Sequence, residues 1–73
     1  MNRYSLSLHG HRTSVSLEPE FWAALKILAA QQGQSVARLV QQIDDERTAK
    51  SAGGGLSSAL RVYVLTAAQQ KNS

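Results

Sequence analysis

Two short stretches of the chain alternate apolar and polar residues with period two: Tyr4-Ser5-Leu6-Ser7-Leu8 and Thr13-Ser14-Val15-Ser16-Leu17. In extended backbone successive side chains point to opposite faces, so each stretch predicts a half-buried strand. Tyr4, Leu6 and Leu8 share one face of the first, and Thr13, Val15 and Leu17 share one face of the second. Between them lies His9-Gly10-His11-Arg12, whose glycine permits a turn. The pattern leaves two arrangements open: a hairpin within one chain, or a long arm leading into a single strand.

The period then changes to that of a helix. Glu18-Pro19-Glu20 suits a helix start, because proline fits the first helical position and acidic groups complement the helix dipole. A first helix is predicted over residues 19–32, with an apolar stripe of Phe21, Leu25, Leu28 and Ala29 and with Trp22 beside it. Gly33 stops it. Ser35 caps a second helix over residues 36–46, where Val36, Leu39, Val40 and Ile43 form one face and Arg38, Gln41, Gln42 and Asp45 the other. Residues 47–55 end in Gly53-Gly54-Gly55 and read as a flexible linker. A third amphipathic element runs from Leu56 to about Gln70, with Leu56, Ala59, Leu60, Tyr63, Val64 and Ala67 on one face and Ser57 or Ser58 as cap. Its Val62-Tyr63-Val64-Leu65 run also has strand propensity. The tail from Gln70 is expected to fray. No internal repeat stands out beyond the recurrence of a serine-capped amphipathic helix.

Size changes what this pattern can support. A chain of 73 residues forms a single domain with a marginal core, and chains of this size usually need a staple. With no cysteine, disulfides and Cys-based zinc sites are excluded, which leaves association with a second copy as the expected staple. The 42% hydrophobic content is that of an ordinary globular chain, and the net charge of +3 suits a polyanionic partner. No stretch approaches the roughly 20 apolar residues of a membrane span. The N-terminal residues lack the continuous apolar core of a signal peptide, so the cytoplasm is the default location.

Candidate chemistry is sparse. His9 and His11 would share a strand face, but two ligands are too few for a structural zinc site. Asp44-Asp45-Glu46 is an acidic run at a helix end, where neighbouring side chains diverge, and reads as a solvated surface. The three glycines lack the preceding strand and the Gly-Lys-Ser/Thr ending of a phosphate loop. No nucleophile elbow or metal-ligand quartet is present. The chain therefore reads as non-enzymatic, with no cofactor and no metal.

The order strand, helix, Gly-containing turn, helix over residues 12–46 resembles the ribbon-helix-helix repressors of the Arc and MetJ class. The run His11-Arg12-Thr13-Ser14-Val15-Ser16-Leu17-Glu18-Pro19-Glu20-Phe21-Trp22, followed by a block like Leu56-Ser57-Ser58-Ala59-Leu60-Arg61-Val62-Tyr63-Val64-Leu65, is similar to a group of short bacterial proteins of that family. The resemblance implies a mainly α fold with a short β-ribbon: an intertwined ribbon-helix-helix homodimer plus a C-terminal helix. Residues 1–11 would be an N-terminal arm or extra strand, 12–46 the ribbon-helix-helix core, 47–55 the linker and 56–73 the C-terminal helix and tail. In the family each chain gives one strand, and two strands pair across a two-fold axis. Val15, Leu17, Phe21, Trp22, Leu25, Leu28, Val36, Leu39, Val40 and Ile43 would then form the dimer core. The resemblance also implies that Arg12, Ser14 and Ser16 touch base edges in the major groove, and that Ser35, Val36, Ala37 and Arg38 hold a backbone phosphate at the start of the second helix.

Two functions are compatible with this reading. One is a DNA-binding homodimeric regulator, a repressor or antitoxin-like protein. The other is a homodimeric protein-interaction adaptor on the same fold, presenting residues 56–70 to a protein partner. They differ over residues 4–8: a free arm favours DNA, whereas a packed edge strand would widen a dimer sheet to four strands and favour the adaptor.

Overall fold

In a computed structural model the described residues are 2–49 and 55–71. Two strands, β1 (Asn2–Leu8) and β2 (His11–Leu17), are followed by three helices, α1 (Pro19–Gln31), α2 (Val36–Ala49) and α3 (Leu56–Lys71). The architecture is mainly α with a short ribbon, as the change of period from two to 3.6 predicts.

Of the two arrangements left open for the N-terminal segments, the chain adopts the hairpin. β1 and β2 pair antiparallel in a two-stranded sheet, from Asn2 opposite Leu17 to Leu8 opposite His11. The connection is the two residues His9 and Gly10, with φ of 54° and 79°. Positive φ at both central positions is the geometry whose twist matches that of the flanking strands, and histidine is among the few side chains tolerated there. The turn is therefore shorter than the four-residue segment expected, and β2 already begins at His11. One edge of β2 is thus paired within the chain itself, not with the twin strand that the family resemblance implied.

The inner face of the hairpin supplies Leu6, Leu8, Val15 and Leu17 to a continuous core with Leu25, Ala29, Leu39, Val40, Ile43 and Leu60. Tyr4, Phe21, Trp22, Leu28, Val36, Leu56, Ala59, Tyr63 and Val64 pack around it, half-buried. Every residue expected in a dimer core finds apolar neighbours within one chain. α2 lies against β1 and α3 against β2, while the three helices touch pairwise. Tyr4 and Trp22 stack with ring centroids 4.2 Å apart and planes 6° from parallel, fastening β1 to α1.

α1 closes as the sequence predicts. Gly33 takes φ 68°, its N–H donates to the Ala30 carbonyl, and the Gln34 N–H reaches back to the Ala29 carbonyl at 3.0 Å. This paired closure satisfies two carbonyls left open at the helix end. α2 runs three residues beyond the expected Glu46, so residues 47–49 are helical instead of linker. Local bonds extend it: Arg47 reaches Asp44 at 2.6 Å and Thr48 Oγ1 donates to the Asp44 carbonyl. The rest of the expected linker before Gly55, residues 50–54, lies outside the described residues. The third element is helical throughout, despite its β-branched run, because its apolar positions fall on one helical face. Ser57 and Ser58 sit inside its first turn and not at the cap; the first bond runs from the Ala59 N–H to the Gly55 carbonyl. Gln70 and Lys71, expected to fray, complete the helix, while residues 72–73 lie outside the described residues.

Candidate nucleic-acid interface

Burying alternate residues of a hairpin leaves the other set on one outer face. Here that set is Arg3, Ser5 and Ser7 from β1 with Arg12, Ser14 and Ser16 from β2, paired as Arg3 opposite Ser16, Ser5 opposite Ser14 and Ser7 opposite Arg12. All are exposed except the half-buried Ser16. The candidate base-reading residues Arg12, Ser14 and Ser16 therefore share one surface. Arg3, Ser5 and Ser7 of β1, which the family resemblance does not include, stand beside them on the same surface. The signal was present in the sequence: Arg3-Tyr4-Ser5-Leu6-Ser7-Leu8 and Arg12-Thr13-Ser14-Val15-Ser16-Leu17 have the same outward residues nine positions apart.

The charge on this face is of one sign. Residues 2–17 contain two arginines and no Asp or Glu. Among the described residues, neither Arg3 nor Arg12 makes an ion pair or side-chain hydrogen bond. Three of the five acidic groups are engaged in ion pairs off this face: Asp44 holds Arg47, Asp45 holds His9, and Glu18 holds Arg61. Arg61 donates from Nε to Glu18 Oε1 at 2.9 Å and from Nη2 to Oε2 at 3.4 Å. These bonds, with one from backbone, hold the Glu18 carboxyl below its ordinary pKa.

The second candidate set stands at the start of α2. Ser35 Oγ accepts the Arg38 N–H at 3.1 Å, a helix cap that leaves the N–H groups of Val36 and Ala37 at the open first turn. Ser35 and Arg38 are exposed, Val36 and Ala37 half-buried, and the Arg38 guanidinium makes no ion pair among the described residues. The Val36 side chain packs on the core. Among the described residues, no hydrogen bond links this set to the hairpin face.

His9, weighed with His11 as a ligand pair, is used otherwise. His9 sits in the turn, where its N–H donates to Gln41 Oε1 at 3.1 Å and its Nε2 meets Asp45 Oδ1 at 2.8 Å. These contacts dock the hairpin tip on α2. On the far side, Gln32 Nε2 donates to the Tyr63 hydroxyl at 2.7 Å, tying the end of α1 to α3. Along those two helices runs a shallow apolar groove lined by Ala24, Ile27, Leu28, Val64, Ala67 and Ala68. Ile27, Val62 and Leu65 are each more than half exposed, at 59%, 59% and 56%. No helix is long and apolar enough to cross a membrane among the described residues.

Residues 1–68 match a family model described as a ribbon-helix-helix domain. The searches of curated proteins and of solved structures give no significant match.

Proposed function

The chain belongs to the ribbon-helix-helix family, and from that premise we propose that it is a DNA-binding transcriptional regulator, a repressor or antitoxin-like protein. The family is typically one of DNA-binding regulators. The observation that carries the reading is the outer face of the hairpin, cationic, free of acidic groups and two strands wide. A ribbon of that width fits a major groove about 12 Å across. Arg12 donates two hydrogen bonds to a guanine edge, Ser14 and Ser16 contact neighbouring bases, and Ser35, Val36, Ala37 and Arg38 grip a phosphate and set the register. Homodimer formation, the family's usual route to two half-sites, falls to the helices in this reading. Joining two β2 strands would make a sheet of four strands at about 4.8 Å each, wider than the groove.

The test is selection from random duplex DNA with purified protein, with Arg12→Ala in parallel. Enrichment of a defined site that the variant fails to enrich supports the reading. An affinity that stays undetectable for every duplex at low salt sinks it.

A second reading is favoured by one observation. β1 is a packed edge strand, with Leu6 and Leu8 9% and 7% exposed, and large apolar side chains stand out on α1 and α3. A protein-interaction adaptor would use that helical face. Its signature is binding to a protein partner that Leu65→Glu abolishes and Arg12→Ala leaves unchanged.

A further inference from the structure

The hairpin contains a symmetry that a single reading strand would not need. Residues 3–8 and 12–17 agree at four of six positions, and the two that differ, Tyr4/Thr13 and Leu6/Val15, both face the core. Outward, the repeat is complete: Arg, Ser, Ser on each strand. The register respects it. Pairing places Ser5 opposite Ser14, and about that central pair the contacts Arg3–Ser16 and Ser7–Arg12 exchange. Rotation by half a turn about an axis through the Ser5–Ser14 pair, normal to the sheet, carries each outward residue onto its repeat. A shift of the register by one pair would destroy this correspondence.

We propose that Arg3, Ser5 and Ser7 form a second base-reading strand equivalent to Arg12, Ser14 and Ser16, so that one chain carries a complete, pseudo-two-fold reading ribbon. This rests on the DNA-binding reading above and deepens it. Packing does not demand the repeat, since a solvated strand face tolerates many polar residues, yet both strands carry the same three in the same order. Duplex DNA has local two-fold axes normal to its helix axis, and a ribbon with a matching axis presents equal groups to both of its strands. Arg3 and Arg12 occupy opposite corners of the face. They lie four residues apart along the ribbon, about 13 Å at 3.3 Å per residue. At a rise of 3.4 Å per base pair that is roughly four base pairs. The ligand is therefore a short palindromic site with a guanine on each strand, about four base pairs apart, each held by one arginine fork.

The experiment measures affinity of the full chain for its selected duplex, for wild type, Arg3→Ala, Arg12→Ala and Arg3→Lys. Arg3 is exposed and makes no ion pair among the described residues, and circular dichroism checks that each variant keeps its fold. Loss of one arginine–guanine pair lowers affinity roughly 5- to 150-fold. The expected result is a loss of that order in both alanine variants, equal within a few fold. Arg3→Lys, which keeps the charge without the fork, is expected to lose discrimination between the selected and a scrambled duplex. If Arg3→Ala binds like wild type while Arg12→Ala is impaired, the second reading strand is overturned and the reading by β2 alone survives. If Arg3→Lys discriminates as well as wild type, Arg3 holds phosphate and its base-reading role falls. If wild type binds no duplex, the DNA reading itself fails.

Discussion

Glu18 and Arg61 are separated by 43 residues and meet in a two-pronged ion pair that joins the start of α1 to α3. Nothing in the residue pattern hints at it, since Glu18 is accounted for by the helix dipole alone and Arg61 by a solvated helix face. The pair sets the sign of a pH effect. A carboxyl whose pKa is lower folded than unfolded takes up protons more readily in the unfolded chain. Its contribution is therefore complete above the ordinary carboxylate range and is lost as the pH falls through the lowered value. Denaturant titrations at stepped pH check this: Glu18→Gln is expected to be less stable than wild type at neutral pH, with the difference shrinking on acidification below about pH 4. A difference independent of pH would assign the contact to packing.

Among elements, the hairpin tests how far periodicity carries. Alternation located both strands and their buried faces, and Leu6, Leu8, Val15 and Leu17 are all in the core. It left the pairing partner open, because period-two alternation is the same whether the neighbour is the next strand or a second chain. The decisive feature is the turn at His9 and Gly10, where both residues take positive φ. Gly10→Ala puts a side chain into a left-handed position at a cost of about 1–2 kcal/mol, measurable by chemical denaturation. The loss should be accompanied by weaker Tyr4–Trp22 stacking, read as a change in Trp22 fluorescence. α3 shows the converse limit. Its apolar face was legible, but its role as the lid beside β2 was not, because periodicity says which face is buried and not what covers it. Leu60 is 0% exposed between the hairpin and the other helices. Leu60→Ala is expected to cost about 2–5 kcal/mol, a large fraction of the about 4–11 kcal/mol that roughly 0.05–0.15 kcal/mol per residue gives a chain of 73 residues. A change under 1 kcal/mol would mean that residues 2–49 are stable without α3.

At the scale of the whole molecule, the question raised by a 73-residue chain without disulfides is what completes its core. The expectation was a second copy, because a lone strand leaves backbone groups unpaired on both edges. The hairpin pairs one of those edges, and α3 adds Leu60 to the core, so the residues expected to meet across a dimer already meet within one chain. Folding and self-association should therefore separate. In a concentration series the unfolding midpoint of an obligate dimer rises with protein, whereas that of a chain folded on its own does not. We expect the midpoint to stay fixed from low to high micromolar concentration, even where sedimentation detects dimers formed through the helices. The same separation appears in DNA binding. If a single ribbon reads a short site with Arg3 and Arg12 on guanines and Arg38 on a phosphate, the slope of log affinity against log salt should be near −1, at about −0.9 per neutralised phosphate. A slope near −2 on the short duplex would mean that two chains bind together, and association would then belong to recognition and not to the fold.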